Sequence, residues 1–172
     1  MKPKTWFQSA NVAIEGIIYS VKTQRHMRYH LYAAVIALVL SLVLNISRSD
    51  FTMLCMAIVL VLVTEMLNTA IEKTVDMISE AWHPRAKVAK DIGAGVVLIA
   101  SIGALTLAYL ILYPELRDRL TGGHWQILKA QDDVIAFVSL IVVVILVVII
   151  KAFLGTGEPL RGGMPSGHAA LS

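Results

Sequence analysis

The sequence predicts an all-α integral membrane protein, with an amphipathic N-terminal helix followed by four transmembrane helices. The chain of 172 residues is 57% hydrophobic and has a mean hydropathy of +0.72, which is too apolar for a soluble domain of this size. Four apolar runs also approach the roughly 20 residues that a helix needs to cross a bilayer. They are Leu31–Ile46, Phe51–Ile71, Ile92–Tyr113 and Val134–Phe153.

The N-terminal segment Lys4–Val21 has the pattern of an amphipathic helix. Its apolar residues recur at helical spacing, and they are Phe7, Ala10, Ile14, Ile17, Ile18 and Val21. With Trp6 near its start, the segment is predicted to lie in the membrane interface rather than to cross the bilayer. A helix that simply packs against the spans explains the same pattern equally well.

The distribution of basic residues predicts how the spans are oriented. Lysines and arginines precede the first span and lie in the Lys73–Asp91 loop, whereas only Arg48 lies between the first and second spans. By the positive-inside rule, the N-terminus and that loop face the cytoplasm of a multi-pass protein in the cell membrane. Because the basic residues flank membrane spans, nucleic acid is not an expected partner. The single cysteine, Cys55, lies within a span and has no disulfide partner in the chain.

The second span carries a stripe of polar residues. Within Val61–Asp76, the residues Glu65, Asn68, Glu72 and Asp76 recur at i, i+3, i+7 and i+11, which places them on one narrow face of a helix. Carboxylates at membrane depth are costly, and they indicate a functional site by default. Two glutamates that each need a partner fit a cation site. A polar seam that joins neighbouring helices is the structural alternative.

Residues Lys87–Asp91 open the next helix, which places Lys90 and Asp91 on the same side of the membrane as the end of this stripe. Carboxylates with few other protein ligands suit Mg²⁺, and a lysine suits a phosphate. A glutamate deeper in the bilayer can act as a general base. These roles combine in phosphoryl transfer to a lipid alcohol. The sequence contains no Walker A motif, no protein-kinase catalytic loop and no zinc-type cluster of cysteine and histidine.

Three sequence elements carry a resemblance to a known family. They are E-x-x-N-T-A-I-E-x-x-V-D at Glu65–Asp76, Ala89-Lys90-Asp91 downstream and Arg25-x-Met27-Arg28 upstream. Together they closely resemble the prokaryotic diacylglycerol kinase family, which includes the undecaprenol kinases, over roughly the first two thirds of the chain. The resemblance implies an ATP-dependent lipid kinase that uses Mg²⁺, with three spans per subunit and active sites shared within a homotrimer. Diacylglycerol and undecaprenol are both candidate substrates. The segment N-T-A-I-E-K-x-V-D resembles the undecaprenol kinases of the family more closely.

The resemblance also implies roles for individual residues. Glu65 is implied as the catalytic base, and Glu72 as a metal ligand together with Gln24. Gln24 stands where the family commonly has a glutamate, so weaker metal affinity is expected. Contacts to ATP are implied for Asn68, which would also order the site, and for Ala81, Trp82, His83, Lys90 and Asp91. Arg28 and Asp76 are expected close to the substrate or its phosphate, although Arg28 fits an interfacial anchor as well.

The sequence divides into a kinase-like domain (1–114), a polar connector (115–133) and a C-terminal segment (134–172). The tail motif P-L-R-G-G-M-P-S-G-H at 159–168 resembles the middle motif of the type-2 phosphatidic acid phosphatase superfamily. That resemblance implies phosphate binding by Arg161, a helix cap at Ser166 and proton donation by His168. The nucleophile of that superfamily is a histidine in a later motif, so a truncated phosphatase-like segment is expected. An ordinary loop with a helix cap is the alternative.

Three functions follow from these patterns. The first is phosphorylation of a membrane lipid alcohol by MgATP. The second is a non-enzymatic membrane subunit whose polar stripe holds a trimer together. The third is the N-terminal part of a bifunctional lipid kinase and phosphatase, in which residues 134–172 contribute a second activity.

Overall fold

The computed structural model describes residues 5–79 and 81–121, together with scattered positions between 139 and 153. Its four long helices are α1 (Trp6–Thr23), α2 (Arg25–Leu44), α3 (Arg48–Ile78) and α4 (Pro84–Leu120). By length and composition, α2, α3 and α4 are each apolar enough to cross a membrane. The predicted all-helical membrane architecture is therefore confirmed for this part of the chain. The fourth span stays a prediction, although its described positions are helical.

Helix α1 confirms the predicted N-terminal helix and begins with a capping box. The Thr5 side chain accepts from the Gln8 backbone N–H, and the Gln8 side chain accepts from the Thr5 N–H. Trp6 and Phe7 are 76% and 72% exposed, as an interfacial helix requires. The placement of α1 in the interface stays a prediction.

A single residue, Gln24, joins α1 to α2. Its extended backbone ends the first helix and begins the second. Arg28, one turn into α2, donates from Nη1 to the carbonyl oxygens of Val21 and Lys22, at 3.0 and 3.2 Å. A guanidinium at these carbonyls satisfies unpaired acceptors and complements the negative end of the α1 dipole. The two helices are thereby held at a defined angle.

A tight turn joins α2 to α3. Asn45 adopts the left-handed conformation (φ 53°), which asparagine tolerates better than most residues. Its N–H donates to the carbonyl of Leu42, and that of Ile46 donates to Ser41, so the last carbonyls of α2 are satisfied. Ser47 then caps α3 by accepting from the Asp50 N–H at 3.1 Å.

Helix α3 is continuous over 31 residues and ends at Ile78. At 1.5 Å per residue it is roughly 46 Å long, whereas the hydrocarbon core of a bilayer is about 30 Å thick. Part of the helix must therefore extend beyond the hydrocarbon. Because the apolar run begins near Phe51, Glu65 falls at membrane depth and Asp76 falls near the water.

Helix α4 begins earlier and ends later than the sequence predicts. It starts at Pro84 rather than near Lys87, because proline is preset for the first helical position and His83 caps it through Nδ1. It also runs through Pro114 to Leu120, so the connector predicted from residue 115 begins inside a helix. Internal prolines are tolerated in membrane helices where other groups satisfy the backbone. Arg119 anchors this end by donating to the Leu44 carbonyl at 2.8 Å.

The described core lies where α1, α2 and α3 meet. Its most buried apolar side chains are Val21, Met27, Leu31, Ala34, Leu38, Phe51 and, from the C-terminal segment, Ile145. Helix α4 packs chiefly on α3, and it leaves many apolar residues exposed, such as Leu98 (61%), Ile99 (74%) and Leu105 (73%). This surface suits lipid chains or another apolar protein surface.

We expect Leu38→Ala to lower the free energy of unfolding by about 2–5 kcal/mol, because it leaves a cavity in the core. Leu38 is 1% exposed. Leu98→Ala is the matched control, since Leu98 is 61% exposed, and its effect should stay below about 1 kcal/mol. Unfolding of the protein in detergent micelles, followed by circular dichroism, measures both. Equal losses in the two variants would contradict the packing described here.

Candidate active site

The polar stripe of α3 faces the other helices, and its burial falls along its length. Glu65 is 3% exposed, Asn68 and Glu72 are partly buried, and Asp76 is exposed. The stripe therefore leads from the protein interior at membrane depth to the water-accessible end of α3. An exposed end and a buried end are what a reaction between a soluble and a lipid substrate requires.

At the exposed end, Lys90 of α4 forms an ion pair with Asp76 of α3. The predicted approach of Lys90 to the end of the stripe is thus confirmed. Both side chains are partly exposed, 39% and 52%, so this pair contributes little to stability. Lys87 and Asp91 form a second pair one helical turn apart on α4. Two lysines and two aspartates therefore share one small region.

A groove of about 380 Å³ lies at this end, between the last turn of α3, the following turn and the first turns of α4. It gathers five residues for which contacts to ATP were expected, namely Ala81, Trp82, His83, Lys90 and Asp91. Ser79 shapes the turn, because its hydroxyl donates to the Ala81 carbonyl at 2.7 Å. Sequence reasoning missed Lys87, which also lines the groove. Lys87 lies three residues before Lys90, which puts both lysines on one side of a helix, and this spacing was the signal from which its place in the groove could have been predicted.

In the middle of the stripe, Asn68 links Glu72 to α4. The Asn68 amide Nδ2 donates to Glu72 Oε1 at 3.0 Å. Its Oδ1 is buried and has no hydrogen-bond partner among the described residues. That oxygen lies against Gly93, where a Cβ atom would come within 2.5 Å of it. The absence of a side chain at Gly93 is therefore what leaves room for the Asn68 amide.

At the buried end, Glu65 lies near residues of α1 and α2. Thr69, one turn further along α3, donates to the Glu65 carbonyl at 2.9 Å, and its hydroxyl contacts the Ser20 hydroxyl of α1 at 3.4 Å. His30 of α2 lines an apolar groove between α2, α3 and α4 that also reaches Val61, one helical turn before Glu65. Sequence reasoning gave His30 no place near the stripe, because residue spacing carries no signal for how two helices are rotated against each other.

Two of the remaining predicted residues, Gln24 and Arg28, form no hydrogen bond or ion pair with the stripe in the described ranges. In the described ranges, no hydrogen bond joins Gln24 to Glu72, and no group of three or more His, Cys, Asp or Glu side chains is placed to hold a metal ion. Arg28 is bonded to α1 carbonyls rather than directed at the stripe. Arg161, Ser166 and His168 lie outside the described residues, so the phosphatase-like motif stays a prediction.

Comparison with known proteins gives a consistent result. Residues 11–112 match the family model described as prokaryotic diacylglycerol kinase. A diacylglycerol kinase of Synechocystis sp. is 31% identical over 123 residues, covering 67% of this chain and 70% of the relative. An undecaprenol kinase of Bacillus subtilis is 34% identical over 111 residues, or 64% and 90% of the two chains. A diacylglycerol kinase of Escherichia coli is 35% identical over 81 residues, or 47% and 66%. No solved structure gives a significant match.

The fold and these relatives define an integral membrane enzyme of the lipid kinase class. The matched region contains α2, α3 and most of α1 and α4, and therefore the whole polar stripe and its groove. The chain belongs to the prokaryotic diacylglycerol kinase family.

We expect Gly93→Ala to destabilise the protein by about 1–3 kcal/mol, because the added methyl group must displace the Asn68 amide or the α4 backbone. The control is Gly95→Ala on the same helix, where a Cβ meets nothing within 4 Å. That substitution should be neutral or should stabilise the helix by up to about 1 kcal/mol. Thermal unfolding in detergent compares the two. A loss in Gly95→Ala as large as in Gly93→Ala would refute the close contact.

Proposed function

We propose that this chain phosphorylates a membrane lipid alcohol, using ATP and Mg²⁺, at the cytoplasmic face of the cell membrane. The observation that carries the proposal is the polar stripe of α3, which connects a lysine-lined groove at Asp76 with a buried carboxylate at Glu65. The two ends are eleven residues apart, or roughly 16 Å along the helix. A nucleotide with an extended triphosphate can span much of that distance.

The groove at the exposed end is the proposed nucleotide site. Lys87 and Lys90 supply positive charge for phosphate oxygens. Trp82 is 79% exposed at the groove and offers an aromatic face on which a base can stack. Lys90 is paired with Asp76. When a phosphate binds, Lys90 leaves this weak surface pair and forms a stronger charge-assisted contact with a phosphate oxygen.

Glu65 is the proposed general base. Its carboxylate takes the proton of the acceptor hydroxyl, and the alcohol oxygen attacks the γ-phosphorus. A new oxygen–phosphorus bond forms while the bond between the γ-phosphorus and the β–γ bridging oxygen breaks, so ADP leaves. A base at membrane depth, 3% exposed, suits a hydroxyl that is itself held in the bilayer, and its surroundings exclude competing water.

Glu72, Asn68 and Gln24 fit a magnesium ion. The unpartnered Asn68 Oδ1 lies next to Glu72, and carboxylate and amide oxygens are ligands that Mg²⁺ accepts. Gln24 and Glu72 each lie within about one helical turn of the Ser20–Thr69 contact. Mg²⁺ needs few protein ligands when phosphates supply the rest, so a larger acidic cluster is not required. When bound, the ion would neutralise charge on the transferred phosphoryl group.

Diacylglycerol and undecaprenol both remain proposed acceptors, because the relatives include a diacylglycerol kinase and an undecaprenol kinase. A homotrimer with shared active sites is part of the proposal. It is supported by the apolar surface that α4 leaves exposed and by the incomplete ligand set around Glu72 in the described ranges. The basic residues around Lys87 and Lys90 support a cytoplasmic location for the groove.

Residues 134–172 are proposed to form a separate phosphatase-like segment beyond the kinase unit and its connector. Its support is the P-S-G-H sequence with Arg161 upstream, and it lies beyond the matched residues 11–112. Release of phosphate from a labelled lipid phosphate, compared between the wild-type chain and His168→Ala, tests whether this segment has any activity of its own.

We expect Glu65→Gln to reduce turnover by about 10²- to 10⁴-fold, the range for loss of a general base. The measurement is transfer of the γ-phosphoryl group of labelled ATP to diacylglycerol and, in parallel, to undecaprenol, in detergent with Mg²⁺. Glu15→Gln is the control, because Glu15 is an exposed glutamate of α1. Full turnover in a folded Glu65→Gln protein would eliminate Glu65 as the base, and absence of labelling by the wild-type protein would eliminate the kinase proposal.

Lys90→Ala should raise the KM for ATP about tenfold or more, since it removes a charge-assisted contact to phosphate. Lys73→Ala is the control, because Lys73 carries the same charge nearby on α3 but does not line the groove. MgATP should also raise the unfolding temperature of the wild-type protein, as any ligand selective for the folded state does. An unchanged KM in Lys90→Ala would place the nucleotide elsewhere.

A further inference from the structure

The C-terminal segment 139–153 lies beyond the residues that match the kinase family, yet its described positions pack on the kinase unit. Those positions are helical. Ile145 is 8% exposed and belongs to the same core cluster as buried side chains of α1, α2 and α3. Val142 and Ile149 are partly buried and pack against that cluster. The segment therefore contributes side chains to the core of a unit from which the sequence pattern separates it.

The three packed residues of the segment share one face of a helix, because positions i, i+3 and i+7 fall within about 60°. On the other side of the helix, Val143, Val147 and Ile150 are 55%, 44% and 51% exposed. Lipid chains are as apolar as any of these side chains, so hydrophobicity alone does not select one face of such a helix in a bilayer. Burial on one side therefore indicates a surface that fits that side.

The receiving surface is formed by α1, α2 and α3, and no described residue of α4 belongs to the cluster or to the side chains packed against it. Helix α2 contributes Leu31, Ala34 and Leu38, which have the same i, i+3, i+7 spacing. The small side chain of Ala34 permits close approach of a second helix. The packed residues of the segment are all β-branched, so they have little rotamer freedom to lose on packing. Both surfaces are thus suited to helix–helix contact.

The covalent connection allows this segment to reach the receiving surface within one chain. Helix α4 ends at Leu120, and the neighbouring Arg119 bonds to the Leu44 carbonyl beside the turn between α2 and α3. The nineteen residues that lead from Leu120 to Ser139 can extend over up to about 60 Å. A helix with its side chains is only about 10 Å wide. The connection is therefore long enough to pass around the bundle without the help of a second copy.

We propose that segment 139–153 docks as a helix on the face formed by α1, α2 and α3 of its own chain, through Val142, Ile145 and Ile149. It is then part of the packed core of the kinase unit. The covered face extends to Met66, which directly follows Glu65, so the segment supports the helices beside the buried end of the polar stripe. The apolar surface of α4 stays free for lipid or for another copy. This docking does not depend on the proposed kinase activity.

The first test compares two isoleucines of the segment in the full chain. Ile145→Ala should lower the unfolding temperature in detergent by about 5 °C or more, because it removes a packed side chain from the core. Ile150→Ala is the matched control, since Ile150 is 51% exposed, and its shift should stay below about 2 °C. Equal shifts in the two variants would overturn the proposed docking.

The second test detects the contact itself and uses the chain's single cysteine, Cys55, which packs against the cluster from α3. Val142→Cys and Ile149→Cys each add a thiol on the packed face, and Val143→Cys and Ile150→Cys add one on the exposed face. A disulfide needs Cα atoms within about 7 Å of each other. During oxidation with copper phenanthroline, at least one variant of the packed face should link to Cys55 faster than either control.

The form of the product decides which chain supplies the segment. A disulfide within one chain, identified by mass spectrometry of tryptic peptides, supports the proposal. Dimers in which Cys55 of one copy is linked to the new cysteine of another show that a second copy occupies the face, and they refute docking within the chain. Linkage at equal rates from both faces, or from neither, refutes the docked helix.

Discussion

Burial of the Glu65 carboxylate is the constraint on which the rest of the described structure depends. A carboxylate in apolar surroundings is stable only when neighbouring groups compensate its charge. Helices α1 and α3 meet at this position. Helix α1 contributes Ser20 through its contact with Thr69, and α3 contributes the glutamate itself. The junction of these helices is therefore where packing and chemistry have to be satisfied together.

Helix α3 serves two environments at once because it is longer than the hydrocarbon core is thick. Its first half is apolar on all sides, and its second half carries the stripe that ends at Asp76. One groove at the exposed end is lined by charged side chains, and the other is lined almost wholly by hydrocarbon. A single straight helix can in this way present a water-soluble reactant and a lipid reactant to the same row of side chains.

Much of this arrangement could be predicted from the sequence, and the failures have identifiable causes. Polar residues at helical spacing within an apolar run located the stripe. The passage of α4 through Pro114 to Leu120 is accompanied by the bond from Arg119 to the Leu44 carbonyl, and such a long-range contact leaves no local pattern in the sequence. The start at Pro84 is set by the local His83 cap, and the preference of proline for the first helical position was the signal available for it.

The same distinction applies within the site. The position of Lys90 near Asp76 follows from helix direction and loop length alone, so it was predictable. The close approach of Gly93 to Asn68 depends on how α4 is rotated against α3. Rotation of one apolar helix against another is set by side-chain packing over the whole interface. It could not be inferred from residue spacing in either helix.

The one-residue joint at Gln24, reinforced by Arg28 across the end of α1, has a consequence for how the protein sits in a bilayer. Helix α1, which is predicted to lie at the headgroups, is therefore rigidly joined to α2, which is predicted to cross the hydrocarbon. The vertical offset between the headgroup plane and Glu65 is then a property of the protein and not of the lipid. In a thinner bilayer the whole unit must tilt, and in a thicker one the bilayer must thin around it, so alcohols carried at different depths cease to be equivalent substrates.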